Sequence, residues 1–133
     1  MKKIEHIGIA VKNLEDSNLL FEKLLGTAPY KLEEVVSEGV QTSFFISGPN
    51  KIELLAATHP NSAIAKFLEK KGEGIHHIAF EVSDIDQEII RLKSEGFVFV
   101  DEIPKIGADN KRIVFLHPKN TNGVLIELCQ EIK

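Results

Sequence analysis

The sequence predicts an α+β fold built from two tandem βαβββ modules whose curved sheets surround a shared cavity. Three observations carry that expectation. Residues 6–16 read HIGIAVKNLED and residues 77–87 read HIAFEVSDIDQ, so that His6 matches His77, Ile7 matches Ile78, Val11 matches Val82, Leu14 matches Ile85 and Glu15 matches Asp86. Both segments run through a helix-like stretch to a glycine, Gly26 in one and Gly96 in the other. The apolar run KIELLA around Glu53 then recurs as LIELCQ around Glu127. A unit of roughly 70 residues is present twice, and such a unit buries its apolar face against its own copy.

Each copy opens as a strand, because Ile7, Ile9 and Val11 alternate with His6, Gly8 and Ala10, and Ile78, Phe80 and Val82 alternate with His77, Ala79 and Glu81. Asn13 and Asp84 then stand where N-caps belong, ahead of helices with apolar positions Leu14, Phe21, Leu24 and Leu25 in one copy and Ile85, Ile89 and Leu92 in the other. Gly26 and Gly96 end those helices. Three further strands are expected in the first module near 31–37, 40–47 and 51–57, divided at Gly39 and at the turn Gly48-Pro49-Asn50. The second module has expected strands near 97–101, 111–117 and 123–130, with a long connection through Pro104 and Gly107 and a polar turn from Lys119 to Gly123. Between them, Ile64, Phe67 and Leu68 fall at helical spacing. The expected organisation is one domain over 1–133, with modules at 1–60 and 75–133 joined by a linker helix within 61–74.

Composition narrows the class of partner. Of the 133 residues 43% are hydrophobic and 27% charged, as in a folded globular chain. The net charge is −4 with Lys and Arg scattered, which argues against nucleic acid as a partner. Lys105, Lys111, Arg112 and Lys119 lie near one another in sequence and offer a local patch for an anionic group, or a solvated surface. The single cysteine, Cys129, rules out an intrachain disulfide and a cysteine-based zinc cluster. Neither an export signal nor a membrane span is expected, and the expected location is the cytoplasm.

The repeat brings four residues into correspondence. His6 and His77 occupy the same position in the first strands, and Glu53 and Glu127 the same position in the last. Each glutamate sits inside a strongly apolar strand, where a buried, unpartnered carboxylate would be costly. Two imidazoles and two carboxylates suit Co²⁺, Ni²⁺, Mn²⁺, Fe²⁺ or Zn²⁺ rather than the all-oxygen preference of Ca²⁺ and Mg²⁺. The cavity is therefore expected to contain a metal. His76 adjoins His77 but falls on the opposite face by strand alternation; His117 and His59 lie beside prolines and are expected at a rim or exposed.

With these residues the chain resembles the vicinal-oxygen-chelate (glyoxalase) superfamily. It is similar over nearly its whole length to the methylmalonyl-coenzyme A epimerase family, through HIGIAVKNLED, IELLA, SAIAKFLEKKGEGIHHIAFEV, PKIGADNKRIVFLHPK and GVLIEL. The motif HIGIAV is common across the superfamily, whereas GEGIHHIAFEV with the HPK and GVLIEL segments is specific. In one place the pattern departs, with Ser62-Ala63 before Ile64-Ala65 where these epimerases commonly have Ser-Pro. The resemblance implies metal ligands at His6, Glu53, His77 and Glu127, with Co²⁺ first and Ni²⁺, Zn²⁺ or Mn²⁺ as alternatives. It implies interconversion of (R)- and (S)-methylmalonyl-CoA by α-proton abstraction and reprotonation through a metal-stabilised enolate. Glu127 is the expected base and Glu53 its symmetry-related counterpart. Gln41 and Thr42 lie on the strand where some relatives carry a further carboxylate. Lys105, Lys111, Arg112, His117 and Lys119 are the expected substrate contacts. A homodimer is expected. The alternatives are glyoxalase I, acting on a glutathione hemithioacetal, and a drug-binding resistance module without turnover.

Overall fold

In the computed structural model, which describes residues 1–132, the chain runs as β1 Lys3–Ala10, α1 Leu14–Leu25, β2 Lys31–Val35, β3 Val40–Ser47, β4 Asn50–Ala57, α2 Ala63–Lys71, β5 Gly74–Glu81, α3 Ile85–Ser94, β6 Lys105–Gly107, β7 Lys111–Leu116 and β8 Ile126–Glu131. This is the α+β βαβββ pattern written twice, with α2 between the copies. The caps fall where the side-chain chemistry places them. Asn13 Oδ1 accepts the Asp16 N–H at 2.9 Å and Asp84 Oδ1 accepts the Gln87 N–H at 3.2 Å, each satisfying a donor the first turn leaves open. Gly26 closes α1 at φ 76°, in the left-handed region where glycine is favoured.

The residues divide by contact into two units, one of residues 6–76 and one of residues 1–5 with 77–133. In the first unit the strands follow the order β2-β3-β4-β1, with β2–β3 and β3–β4 antiparallel and β1–β4 parallel. One sheet face carries Ile9, Val11, Phe45, Ile52, Leu54 and Ala56, packed on Leu14, Phe21 and Leu25 of α1. On the other face, Ala10, Val40 and Leu55 pack against Ile64, Phe67 and Leu68 of α2. Burying each large side chain contributes about 1.5–3 kcal/mol, so both helices are anchored by the period-2 pattern of the strands beneath them. Leu24, expected on the buried side of α1, is instead 71% exposed.

In the second unit β5 runs parallel to β8, and β7 lies antiparallel between β8 and β6. The N–H of Lys2 donates to Glu81 O at 2.8 Å, which ties the first residues of the chain to this unit. Ile85, Ile89 and Leu92 of α3 pack on Phe80, Val114, Leu116, Ile126 and Leu128. The opposite face carries Ala79, Ile113, Phe115 and Cys129.

Three elements differ from the sequence-based expectation. Residues 97–101 form no ladder: Phe99 makes one isolated bridge with Leu116, supported by Val100 N to Phe115 O and His117 N to Val98 O. The strand that pairs with β7 is instead β6, inside the stretch read as a connection, and it reaches β7 through Asp109 and Asn110 at φ 59° and 55°. The last strand starts at Ile126 because residues 121–124 turn, with Val124 N donating to Thr121 O.

Close packing in this hairpin makes one residue sensitive. A Cβ on Gly107 would lie 2.6 Å from Ile113 Cδ1 and 3.0 Å from Cγ1. Gly107→Ala is expected to lower stability by about 1–3 kcal/mol, the usual cost of overpacking, as measured by urea denaturation. An unchanged midpoint would show that Ile113 moves aside without cost.

Candidate metal centre

Strand alternation sets His6 and Glu53 on the sheet face opposite α1, and Glu127 on the sheet face opposite α3. In β4, Ile52, Leu54 and Ala56 pack toward α1 while Glu53 projects from the other side. Gly8 of β1 lies beside Glu53, and His6 two residues earlier shares its face. His6 Nδ1 stands 3.1 Å from Glu53 Oε2, with both side chains 6% exposed. The second unit repeats this arrangement. Ile126 and Leu128 pack under α3, Glu127 projects from the opposite face, and Ala79 of β5 is its neighbour. His77 Nε2 stands 3.3 Å from Glu127 Oε1, and both side chains are buried. The Phe115 ring meets the His77 ring edge-on at 5.8 Å, which fixes the imidazole's orientation.

The spacing within each pair suits shared ligation. At 3.1 and 3.3 Å, the nitrogen and oxygen of each pair are close enough to serve one ion together or to share a proton. Buried His6, Glu53 and His77 have the donor chemistry to hold a divalent metal, and the nitrogen–oxygen mixture favours a transition metal over Ca²⁺ or Mg²⁺.

His76 lies on the other face of β5, with its ring 5.0 Å from that of Phe67 of α2 in an edge-on contact. Burial pushes its imidazole down from 6.5 to about 4. Between those values the unfolded chain binds a proton that the folded chain refuses. Stability from this group is therefore complete above pH 6.5 and falls as the pH drops toward 4, by on the order of 3 kcal/mol. His76→Gln is expected to flatten that part of the stability–pH curve in denaturant titrations; an unchanged slope would assign the acid sensitivity to other groups.

The five expected substrate contacts do not form one surface. Arg112 turns toward α3 and pairs with Asp86 at 3.2 Å, whereas Lys111, next in sequence, points to the other side of β7 and is buried, with its ammonium 3.8 Å from Glu131. Lys105 and Lys119 are exposed, and His117 Nδ1 accepts the Lys119 N–H at 3.1 Å. His59 likewise accepts the Asn61 N–H at a chain turn. Of the two β3 residues singled out, Gln41 is exposed and Thr42 is fully buried.

The β3 register also exposes a group that the sequence pattern hid. Lys31, Glu33 and Val35 of β2 lie opposite Phe44, Thr42 and Val40, and Phe44 lies opposite Glu53, so Lys31 and Glu33 share the face of Glu53. Lys31 Nζ is 3.2 Å from Glu33 Oε1 and 5.5 Å from the centre of the Phe44 ring.

Residues 5–115 match the family described as the glyoxalase/bleomycin resistance protein/dioxygenase superfamily. The chain is 44% identical over 131 residues to the ethylmalonyl-CoA/methylmalonyl-CoA epimerase of Cereibacter sphaeroides, covering 96% of this chain and 97% of that protein. It is 42% identical over 127 residues to the mitochondrial methylmalonyl-CoA epimerase of Dictyostelium discoideum, covering 95% and 76%. The crystal structure of methylmalonyl-CoA epimerase from Mycobacterium tuberculosis superposes with a TM-score of 0.94 at 36% identity, covering 98% of this chain and 89% of that one. The paired histidines and glutamates thus stand in a chain that belongs to the glyoxalase/bleomycin resistance protein/dioxygenase superfamily and that closely resembles its methylmalonyl-CoA epimerases in both sequence and structure.

Proposed function

We propose that this chain is a metal-dependent isomerase that interconverts (R)- and (S)-methylmalonyl-CoA. The observation that carries this reading is the buried His–Glu pair present once in each unit, with nitrogen and oxygen 3.1 and 3.3 Å apart, in a chain that spans nearly the full length of an epimerase 44% identical to it. His6, Glu53, His77 and Glu127 would hold a divalent transition metal, Co²⁺ first. Such an ion would supply Lewis acidity toward the negative charge that develops on the thioester oxygen.

The protein's own groups bind the thioester and move the proton. Glu127 takes the α-proton, since a carboxylate is close enough in basicity to serve as acceptor and then as donor. Epimerisation returns a proton to the opposite side of the planar carbon, and Glu53 is the symmetry-related candidate for that step. Exposed Lys105 and Lys119 and the neighbouring His117 offer cationic or polar groups to coenzyme A, buried Lys111 offers an ammonium on the face of Phe115, and Arg112 would have to leave Asp86 to join them. Among the described residues no helix is long and apolar enough to cross a membrane; we place the protein in the cytoplasm, as a homodimer.

The decisive experiment supplies metal-loaded protein with a single epimer in deuterated water and follows stereochemistry and α-deuterium together. The opposite epimer is expected to accumulate and to carry label, after subtraction of background exchange. Rapid conversion of a glutathione hemithioacetal with the epimer ratio left at background would replace this reading with that of glyoxalase I.

A further inference from the structure

We propose that the second proton-transfer group is Glu33, reached through the hydroxyl of Thr42, rather than the ligand Glu53. This rests on the epimerase reading above and concerns only the first unit. Three independent observations place the groups. Thr42 is fully buried, and its Oγ1 has no hydrogen-bond partner among the described residues. A buried hydroxyl left unmatched carries a cost of about 1–3 kcal/mol, which a partner reaching Thr42 Oγ1 on the face of Glu53 would relieve. Second, Thr42 lies two residues along β3 from Phe44, the cross-strand neighbour of Glu53, and therefore on the same face of the sheet as that carboxylate. Third, Glu33 lies directly across from Thr42 on β2. Its side chain is 30% exposed, so its carboxylate has access to solvent and room to turn toward the hydroxyl across the strand pair.

Lys31 adds direction. Its ammonium is 3.2 Å from the Glu33 carboxylate and sits over the Phe44 ring, in the cross-strand row that contains Glu53. The carboxylate is thereby drawn along the strand toward that row.

The step balances as a relay. For one epimer the α-C–H bond breaks, its proton bonds to Thr42 Oγ1, and the original hydroxyl proton passes to the Glu33 carboxylate in the same movement; the C–H electron pair stays with the substrate. For the other epimer the sequence reverses, and Glu33 exchanges its proton with water. A hydroxyl both donates and accepts, so no alkoxide need form.

The test uses metal-loaded wild type with Glu33→Gln, Thr42→Val and Thr42→Ser, each given separately with (R)- and (S)-methylmalonyl-CoA in deuterated water. Inversion, α-exchange, metal content and melting temperature are read together. Glu33→Gln and Thr42→Val should lose inversion by about 100-fold or more, the lower range for general acid–base groups. They should keep α-deuterium exchange with retention for the one epimer whose proton faces Glu127. Thr42→Ser should invert within a few-fold of wild type. Metal content should stay at the wild-type value, and Thr42→Val should melt no lower, since it removes an unsatisfied hydroxyl. Inversion at the wild-type rate in either Glu33→Gln or Thr42→Val overturns the relay, as does an equal loss of exchange and inversion for both epimers. Wild type that neither inverts nor exchanges either epimer sinks the epimerase reading and the relay with it, which separates that failure from the failure of the relay alone.

Discussion

Glutamine in place of Glu127 is expected to lower epimerisation by a factor of 100 to 10,000 while leaving the metal bound. The range is that of a positioned acid–base group removed from a reaction limited by proton transfer. Glutamine keeps the length of the side chain and an oxygen able to ligate, and it loses the capacity to take a proton at neutral pH. The site tolerates the change in shape: Glu127 projects from β8 between Ala79 on β5 and Phe115 on β7, and the edge-on contact of Phe115 with His77 does not depend on charge. The metal-loaded variant should gain less stability from the ion than the wild type does, because the ion then faces one negative charge fewer. Epimer ratio against time, with metal content measured on the same sample, checks the claim. A parallel fall of metal content and rate would leave Glu127 as a ligand only. A rate within ten-fold of wild type at full metal content would require another group to take the proton.

How far the site was legible in the sequence depends on which residues are asked about. His6, Glu53, His77 and Glu127 stood out because duplication supplies an internal comparison: the same residue type recurs at the same place in two otherwise diverged strands. The helices α1 and α3 were legible through their caps, whose chemistry is local. Leu24 misled because leucine is as good a helix former outside a core as inside one. The segment 97–101 misled for a related reason. Phe97, Val98, Phe99 and Val100 have the composition of a strand, but tertiary context gives them one bridge, while the real edge strand is three residues long and carries no period to detect. Glu33 was hidden because β2 breaks the usual rule of faces. Leu32, on its outer side, is 56% exposed, whereas Lys31 and Glu33 share the face of Val35, which packs into the core. Alternation read from hydrophobicity alone points such a strand the wrong way, and only the register with β3 corrects it.

The same sensitivity to register makes the adjacent histidines the sharpest remaining discrimination. Metal removal by a chelator is expected to abolish turnover and added Co²⁺ to restore it, and His77→Ala is expected to weaken metal binding far more than His76→Ala. Adjacent residues on a strand point to opposite sides. His77 is 5% exposed, faces Glu127 at 3.3 Å and is braced by Phe115. His76 instead packs on Phe67 at 5.0 Å. Loss of a direct ligand should exceed the 10–100-fold loss of affinity typical when an outer partner of a ligand is removed. Replacing His76 removes an aromatic contact of about 0.5–1.5 kcal/mol together with its packing area, so it should lower the melting temperature and leave affinity within a few-fold. Titration of each metal-free variant with Co²⁺, followed by calorimetry and by the visible absorption of the bound ion, separates the two effects. Equal losses of affinity would mean that β5 presents both imidazoles to the ion, which its hydrogen-bonded register with β8 does not allow.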